Sequence, residues 1–157
     1  MKPNVEKHRT RTDYLGMVYR LHRFIPIFET TVKALKRLDK KTPFDAIAFT
    51  GTSGAALAYP LSLRLKKPLI SIRKGQSHFG RTFEGCLDAK SYLIIDDFID
   101  GGATVNRILR EVRKVSKAVP MGIYLYAPID YTRKWYWKEL SVPIFTARRL
   151  KQKSKSS

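Results

Sequence analysis

The stretch Tyr92-Leu93-Ile94-Ile95-Asp96-Asp97-Phe98-Ile99-Asp100-Gly101-Gly102-Ala103-Thr104 constrains the fold more than any other part of this chain. An apolar run ends on two adjacent carboxylates. A third acid, a glycine pair and a threonine follow, and Val105-Asn106-Arg107-Ile108-Leu109 then reads as helix. The physical reading is a buried strand, an acidic turn at its C-terminal end and a Gly-rich loop opening a helix. In an open α/β sheet, ligands sit at such strand ends. A helix N-terminus behind glycines is also a ready site for phosphate.

The rest of the chain supplies what such a corner needs. Thr12 to Arg23 is predicted as a helix with Tyr14, Leu15, Val18, Tyr19 and His22 on its apolar face, ended or kinked by Pro26. Phe28, Val32, Leu35 and Leu38 repeat at helical spacing up to Asp39-Lys40-Lys41-Thr42-Pro43. Phe44 to Phe49 reads as a strand, Thr50 to Gly54 as a small polar turn, and Ala55 to Leu65 as a helix. A strand over Leu69 to Ile72 leads into a polar, glycine-bearing stretch from Arg73 to Gly85, expected as a loop or hairpin. The helix after Thr104 extends to about Ser116, Met121 to Tyr126 is a further strand, and Val142-Pro143-Ile144-Phe145 suits a sheet edge. This alternation of strands and helices predicts a parallel α/β sheet with crossover helices.

Size and charge bound the function. The 157 residues, 43% hydrophobic and 28% charged, suit one globular domain with a real core. A single cysteine, Cys86, leaves no intramolecular disulfide or multi-cysteine zinc site. The polar, charged start and the lack of a long apolar run predict no signal peptide and no membrane helix, hence a soluble cytoplasmic protein. Lys and Arg total 31 against 13 Asp and Glu, a net charge of +18, which predicts attraction to polyanions or phosphorylated substrates. Part of the excess stands in Lys7-His8-Arg9-Thr10-Arg11 and in the tail from Arg148 to Lys155.

Two turns carry the chemistry. In the first, Gly51 and Gly54 flank Thr52 and Ser53, so backbone N–H groups and two hydroxyls can approach an anion. The sequence lacks the Gly-Lys-Ser/Thr ending of a nucleotide-binding P-loop. In the second, Gly101 and Gly102 let the backbone curl round a phosphate beside the Thr104 hydroxyl. Asp96 and Asp97 would repel that phosphate, so they must face vicinal hydroxyls or a divalent cation. A ribose bearing two phosphate groups has the required shape.

At this point a resemblance enters. Tyr92 to Thr104 resembles the phosphoribosyl-pyrophosphate (PRPP) signature of type I phosphoribosyltransferases: an apolar strand, two acids, two apolar residues and a small Gly-rich turn ending in threonine. Thr50 to Gly54 sits where that family has its pyrophosphate loop, and Arg73-Lys74 where many members carry a basic pair. Gln76 to Gly85, with His78-Phe79-Gly80-Arg81, matches the catalytic loop in position. The order of motifs agrees from about Asp45 to Tyr126, roughly half the chain.

The resemblance implies a central, mostly parallel sheet flanked by helices, with a small hood from the terminal segments. It implies one domain over 1–157, with a core at about 44–127 and a basic tail at 148–157. Asp96 and Asp97 would hold the ribose hydroxyls and help orient Mg²⁺. Asp100, Gly101, Gly102, Ala103 and Thr104 would cradle the 5′-phosphate. Gly51, Thr52, Ser53, Gly54, Arg73 and Lys74 would meet pyrophosphate, with Lys74 and Arg81 neutralising it in catalysis. The implied reaction transfers phosphoribose from PRPP to a nucleobase, in a cytoplasmic homodimer serving nucleotide salvage or biosynthesis.

Two positions depart from the family pattern or leave its reading open. Gly101 stands where the usual turn has its first threonine. Asp100 matches the aspartate that serves as a base near the purine N7 in the hypoxanthine-guanine type, which leans toward a 6-oxopurine; it equally suits a helix cap. Trp135-Tyr136-Trp137 fits a base-stacking hood or a core or dimer contact, and His78 reads as an exposed loop residue. The alternative function is a PRPP- or nucleotide-sensing regulator of the same fold that binds RNA or DNA through its basic surface.

Overall fold

The computed structural model describes residues 11, 15–75, 80–127 and 140–152. His78, the Trp135-Tyr136-Trp137 cluster, Lys7 to Arg9 and the last five residues of the basic tail lie outside them. Six strands form one sheet in the order β3-β2-β1-β4-β5-β6. They are β1 (Ala46–Thr50), β2 (Leu69–Ile72), β3 (Phe83–Gly85), β4 (Ser91–Asp96), β5 (Val119–Leu125) and β6 (Ile144–Thr146). The helices are α1 (Gly16–Tyr19), α2 (Leu21–Lys41), α3 (Gly51–Leu65), α4 (Ala103–Val115) and α5 (Ala147–Gln152). All pairings are parallel except β2 with β3. The mixed, mostly parallel sheet flanked by helices is the fold class expected.

The central strands are buried on both faces, which explains their near-continuous apolar sequences. Alternate residues feed two cores. Ile47, Phe49, Leu93 and Ile95 face one side with Leu35, Leu38, Leu57 and Leu61 of α2 and α3. Ala46, Ala48, Tyr92 and Ile94 face the other with Val105, Ile108 and Val112 of α4. So β1 leads through α3 to β2 on one side, while β4 leads through α4 to β5 on the other. Strands β1 and β4 are neighbours, Ala46 opposite Tyr92, and the chain departs from them in opposite directions. That makes the β1–β4 boundary the topological switch point, where such sheets leave a crevice at the carboxyl ends of the strands.

Several local expectations need correction. The first helix breaks at Arg20, whose backbone is extended (φ −95°, ψ 104°), and α2 then runs through Pro26. Pro26 lies in the second turn on an exposed side, where water can serve the carbonyl that its missing N–H leaves unpaired. Tyr19, the last residue of α1, and His22, in the first turn of α2, are exposed instead of facing the core. Thr50 to Gly54 is not a separate turn: β1 ends at Thr50 and α3 begins at Gly51. The polar stretch after β2 folds back as the antiparallel strand β3, the hairpin alternative. Strand β6 forms the far edge as the proline suggested. Pro143 stands just before it and accepts the Ile123 N–H at 2.9 Å.

No helix among the described residues is long and apolar enough to cross a membrane.

Candidate functional site

The carboxyl ends of β1 and β4 bring the two sequence-defined turns together. Ser53, in the first turn of α3, donates its hydroxyl to Asp96 Oδ1 at 3.0 Å across 43 residues of sequence. The same oxygen accepts the Asp97 N–H at 3.0 Å, and Asp97 Oδ1 accepts the Phe98 N–H at 2.9 Å. Both acids are only 5% exposed. Burial, and then the neighbouring Asp97 carboxyl, push the Asp96 carboxyl above the ordinary carboxylate range. A buried acid pair of this kind is costly unless something binds it.

On the α3 side, close approach dictates the sequence. A Cβ at Gly54 would stand 2.9 Å from Phe49 Cβ and 3.1 Å from the Ile95 carbonyl oxygen, so only glycine lets α3 lie against β1 and β4. Thr50 donates its hydroxyl to the Ile72 carbonyl, tying β1 to β2 below the turn. Lys74 reaches back from the end of β2: a Cβ at Gly51 would lie 3.2 Å from its Cε and 3.4 Å from its Nζ. An ammonium group therefore stands over the first turn of α3, whose leading backbone N–H groups have no partner within the helix.

On the α4 side, five residues separate β4 from the Gly102 cap. Gly102 adopts the left-handed conformation (φ 73°) and no side chain caps the helix. Asp100 is exposed and does not serve as the helix cap, which removes one of its two sequence readings. Gly101 has no atom within 4 Å of a built Cβ, so nothing in the packing demands glycine there. The Asn106 N–H bonds the Gly102 carbonyl at 2.9 Å, leaving the N–H groups of the first turn for an incoming acceptor.

The basic residues divide. Lys74 points into the site, whereas Arg73 turns away and pairs with Glu84 across the β2–β3 hairpin at 2.9 Å. The chain bends at Lys74, just past the end of β2, and the two cations take different partners in this arrangement. Arg81 stands exposed on the hairpin. It lines a hollow of about 1120 Å³ with Thr82, Phe83, Leu87 and Val115, and none of the acid-pair or glycine-turn residues reaches that hollow.

Sequence reasoning missed three supporting residues. Tyr126 donates its hydroxyl to the Ser53 carbonyl at 2.7 Å, and its backbone N–H donates to the Asp96 carbonyl at 3.1 Å, so one residue braces both turns. Arg107 donates to the Lys74 carbonyl at 3.0 Å and so fixes the backbone from which that ammonium projects. Glu111 accepts the Thr82 hydroxyl at 2.9 Å at the far foot of the same segment. Hydrogen bonds from Lys114, Arg110 and Thr82 hold the Glu111 carboxyl down at about 2. A local signal existed only for Glu111, an acid on the apolar side of α4 next to Val112.

The donor set limits what cation could bind. No cluster of three or more His, Cys, Asp or Glu among the described residues could cage a metal. Asp96 and Asp97 thus fit an ion that brings most of its ligands from substrate and water, as Mg²⁺ does in phosphate sites.

The same architecture recurs in known proteins. No protein-family model matches the chain. Orotate phosphoribosyltransferase of Sulfolobus acidocaldarius is 30% identical over 95 residues, 59% of this chain and 48% of that protein. The chain thus spans about half the length of that curated relative. Among solved structures, orotate phosphoribosyltransferase from Aeropyrum pernix superposes with a TM-score of 0.65 at 15% identity, over 94% of this chain and 84% of that one. Adenine phosphoribosyltransferase from Saccharomyces cerevisiae, solved with adenine and an imino-sugar bisphosphate, gives 0.63 at 19% identity, over 82% and 83%. The resemblance drawn from Tyr92 to Thr104 therefore extends to the architecture as a whole. This chain has the type I phosphoribosyltransferase fold.

Proposed function

We propose that the protein transfers the phosphoribosyl group of PRPP to a nucleobase and releases pyrophosphate. One observation carries the reading: the Ser53–Asp96 hydrogen bond at 3.0 Å, which sets an anion-attracting helix N-terminus on each side of a buried acid pair. A doubly phosphorylated ribose has phosphate, diol and pyrophosphate in that order. The N-terminal turn of α4, with Gly101, Gly102, Ala103 and the Thr104 hydroxyl, takes the 5′-phosphate. Asp96 and Asp97 take the ribose hydroxyls. The turn from Gly51 to Gly54 and the Lys74 ammonium take the pyrophosphate.

A nitrogen lone pair of the base forms the bond to the anomeric carbon, while the bond from that carbon to pyrophosphate breaks and its electrons leave with the diphosphate. Lys74 neutralises that charge as it develops. Mg²⁺, held through the substrate near Asp96 and Asp97, supplies further charge neutralisation when bound. Asp100 belongs to the same reading, as the group that receives the proton of the base; Arg81, which lines the separate hollow beside Phe83, is left out of it. Orotate and adenine enzymes both stand among the similar proteins, while Asp100 leans toward a 6-oxopurine.

The test is pyrophosphate release from PRPP and Mg²⁺ across a panel of adenine, hypoxanthine, guanine, uracil and orotate. Release dependent on one base is expected. Silence across the panel, with PRPP still bound, would leave a sensor in place of an enzyme.

A further inference from the structure

The proposed reaction leaves most of the net charge of +18 without a role. A dense part of it lies on α2, five cations within the nine residues from Lys33 to Lys41, on a helix that enters the sheet at the end of β1 opposite the crevice. Lys33, Lys36, Arg37, Lys40 and Lys41 are all exposed and fall on one side of the helix by its 3.6-residue period. The opposite side carries Thr31, Val32, Ala34, Leu35 and Leu38, all buried in the core. None of the five cations makes an ion pair among the described residues. Of the two acids on α2, Asp39 is taken by Lys67 at 3.0 Å, and Glu29 stands four residues before Lys33 and offsets only that end of the row.

Such a stripe destabilises its own helix. Lys33 stands three and four residues from Lys36 and Arg37, and Lys36 stands four from Lys40. Arg37 likewise stands three and four from Lys40 and Lys41. Like charges at these spacings repel. Only Lys40 and Lys41 gain from the dipole at the helix C-terminus.

We propose that this outer face of α2 is a docking surface for the phosphodiester backbone of a nucleic acid. The ladder from Lys33 to Lys41 is about 12 Å long at a rise of 1.5 Å per residue. A straight, convex row of cations suits a polymer of regularly spaced phosphates; a small phosphate needs a concave site. The hollow beside Arg110 and Arg113 and the one beside Arg81 and Phe83 are both lined by residues outside α2. A membrane surface fits less well, because the apolar side of α2 is already packed in the core and cannot insert among lipids. The proposal stands whether or not the crevice performs the reaction above.

The test is fluorescence anisotropy of a labelled 20-base-pair DNA duplex of arbitrary sequence with the full chain, between 50 and 200 mM salt. Binding is expected with a steep log–log salt slope. The triple substitution Lys33→Ala, Arg37→Ala and Lys40→Ala should weaken binding at least ~10-fold at 50 mM salt and flatten the slope by about 2.7, since each phosphate contact contributes about 0.9. A charge-matched triple elsewhere (Arg64→Ala, Lys90→Ala and Lys117→Ala) should change affinity less than ~3-fold by the same principle of local contact. Alanine favours helix, so the α2 triple should keep its Tm, and Arg37→Ala alone provides a milder variant. Absent duplex binding at 50 mM salt, equal losses in the two triples, or tighter binding to phosphatidylserine vesicles than to the duplex would each overturn the assignment.

Discussion

The two strand-to-helix turns each begin on a left-handed glycine, Gly51 and Gly102, yet are held in place differently. At β1–α3 the strand passes straight into the helix, and Gly54 is wedged between Phe49 and the Ile95 carbonyl. That turn needs one left-handed glycine, Gly51 (φ 66°), and beyond it is shaped by packing, its position set from outside by Ser53 on Asp96 and by Tyr126 on Ser53. At β4–α4 a loop intervenes, Gly101 stands in open space and only the left-handed backbone of Gly102 demands glycine. That turn is shaped by local backbone geometry. The difference teaches that a glycine in an anion turn can serve close packing, chain reversal or neither, and that only the surroundings tell which.

The sharpest way to test the comparison is to remove the charge where the turns meet. Asp96→Asn should reduce transfer by about 100-fold or more, the scale on which losing a preorganised polar group at the reacting centre acts. The amide can still accept from Ser53 and from the Asp97 N–H, so the fold should survive. The folded Asp96 carboxyl holds its proton to higher pH than the unfolded one. The wild-type protein therefore loses stability as pH rises above the ordinary carboxylate range, and the loss is complete once the folded carboxyl has ionised. Asp96→Asn lacks this loss, so its Tm at pH 8 should exceed wild type by about 3–6 °C, from ~1–2 kcal/mol. Thermal melts at pH 5 and pH 8 check it: a difference that does not grow with pH would mean that Asp96 burial is not the cause.

A steric change separates the turns next. Gly54→Ala should cost about 1–3 kcal/mol by overpacking against a strand that cannot withdraw, lowering Tm by roughly 3–10 °C. An unchanged melting temperature would show that α3 can move off the sheet and that its packing does not shape the turn.

The smallest effect should come from the other turn. Gly101→Thr meets open space, so stability should stay within about 0.5 kcal/mol. The new hydroxyl, near the α4 N-terminus, should tighten PRPP binding by a few-fold, about one neutral hydrogen bond. Titration calorimetry with PRPP measures this. Weaker binding would place the phosphate elsewhere than against Gly101.

Much of this architecture was legible because it rests on local patterns. The apolar run of β4, the acids at its end and the helical period of α4 each describe one element, and Val32, Leu35 and Leu38 marked the buried side of α2 as clearly. The alternation of strands and helices was enough to indicate a parallel sheet. The first helix was misread because nothing in Arg20 announces a break, whereas Pro26 advertises one that an exposed second turn readily absorbs. Arg73 and Lys74 were read together because they are adjacent, but the chain bends at Lys74 and Arg73 is held by Glu84 across the hairpin.

The sequence by itself determined which elements form and where an anion-binding turn could arise, because propensity, periodicity and turn chemistry act within a few residues. Only the tertiary structure decided that Ser53 meets Asp96, that Tyr126 braces both turns and that Lys74 alone of its pair stands over Gly51. Those contacts join residues 23 to 73 positions apart. They depend on strand order and register, which place β1 beside β4 and send the chain away from them in opposite directions.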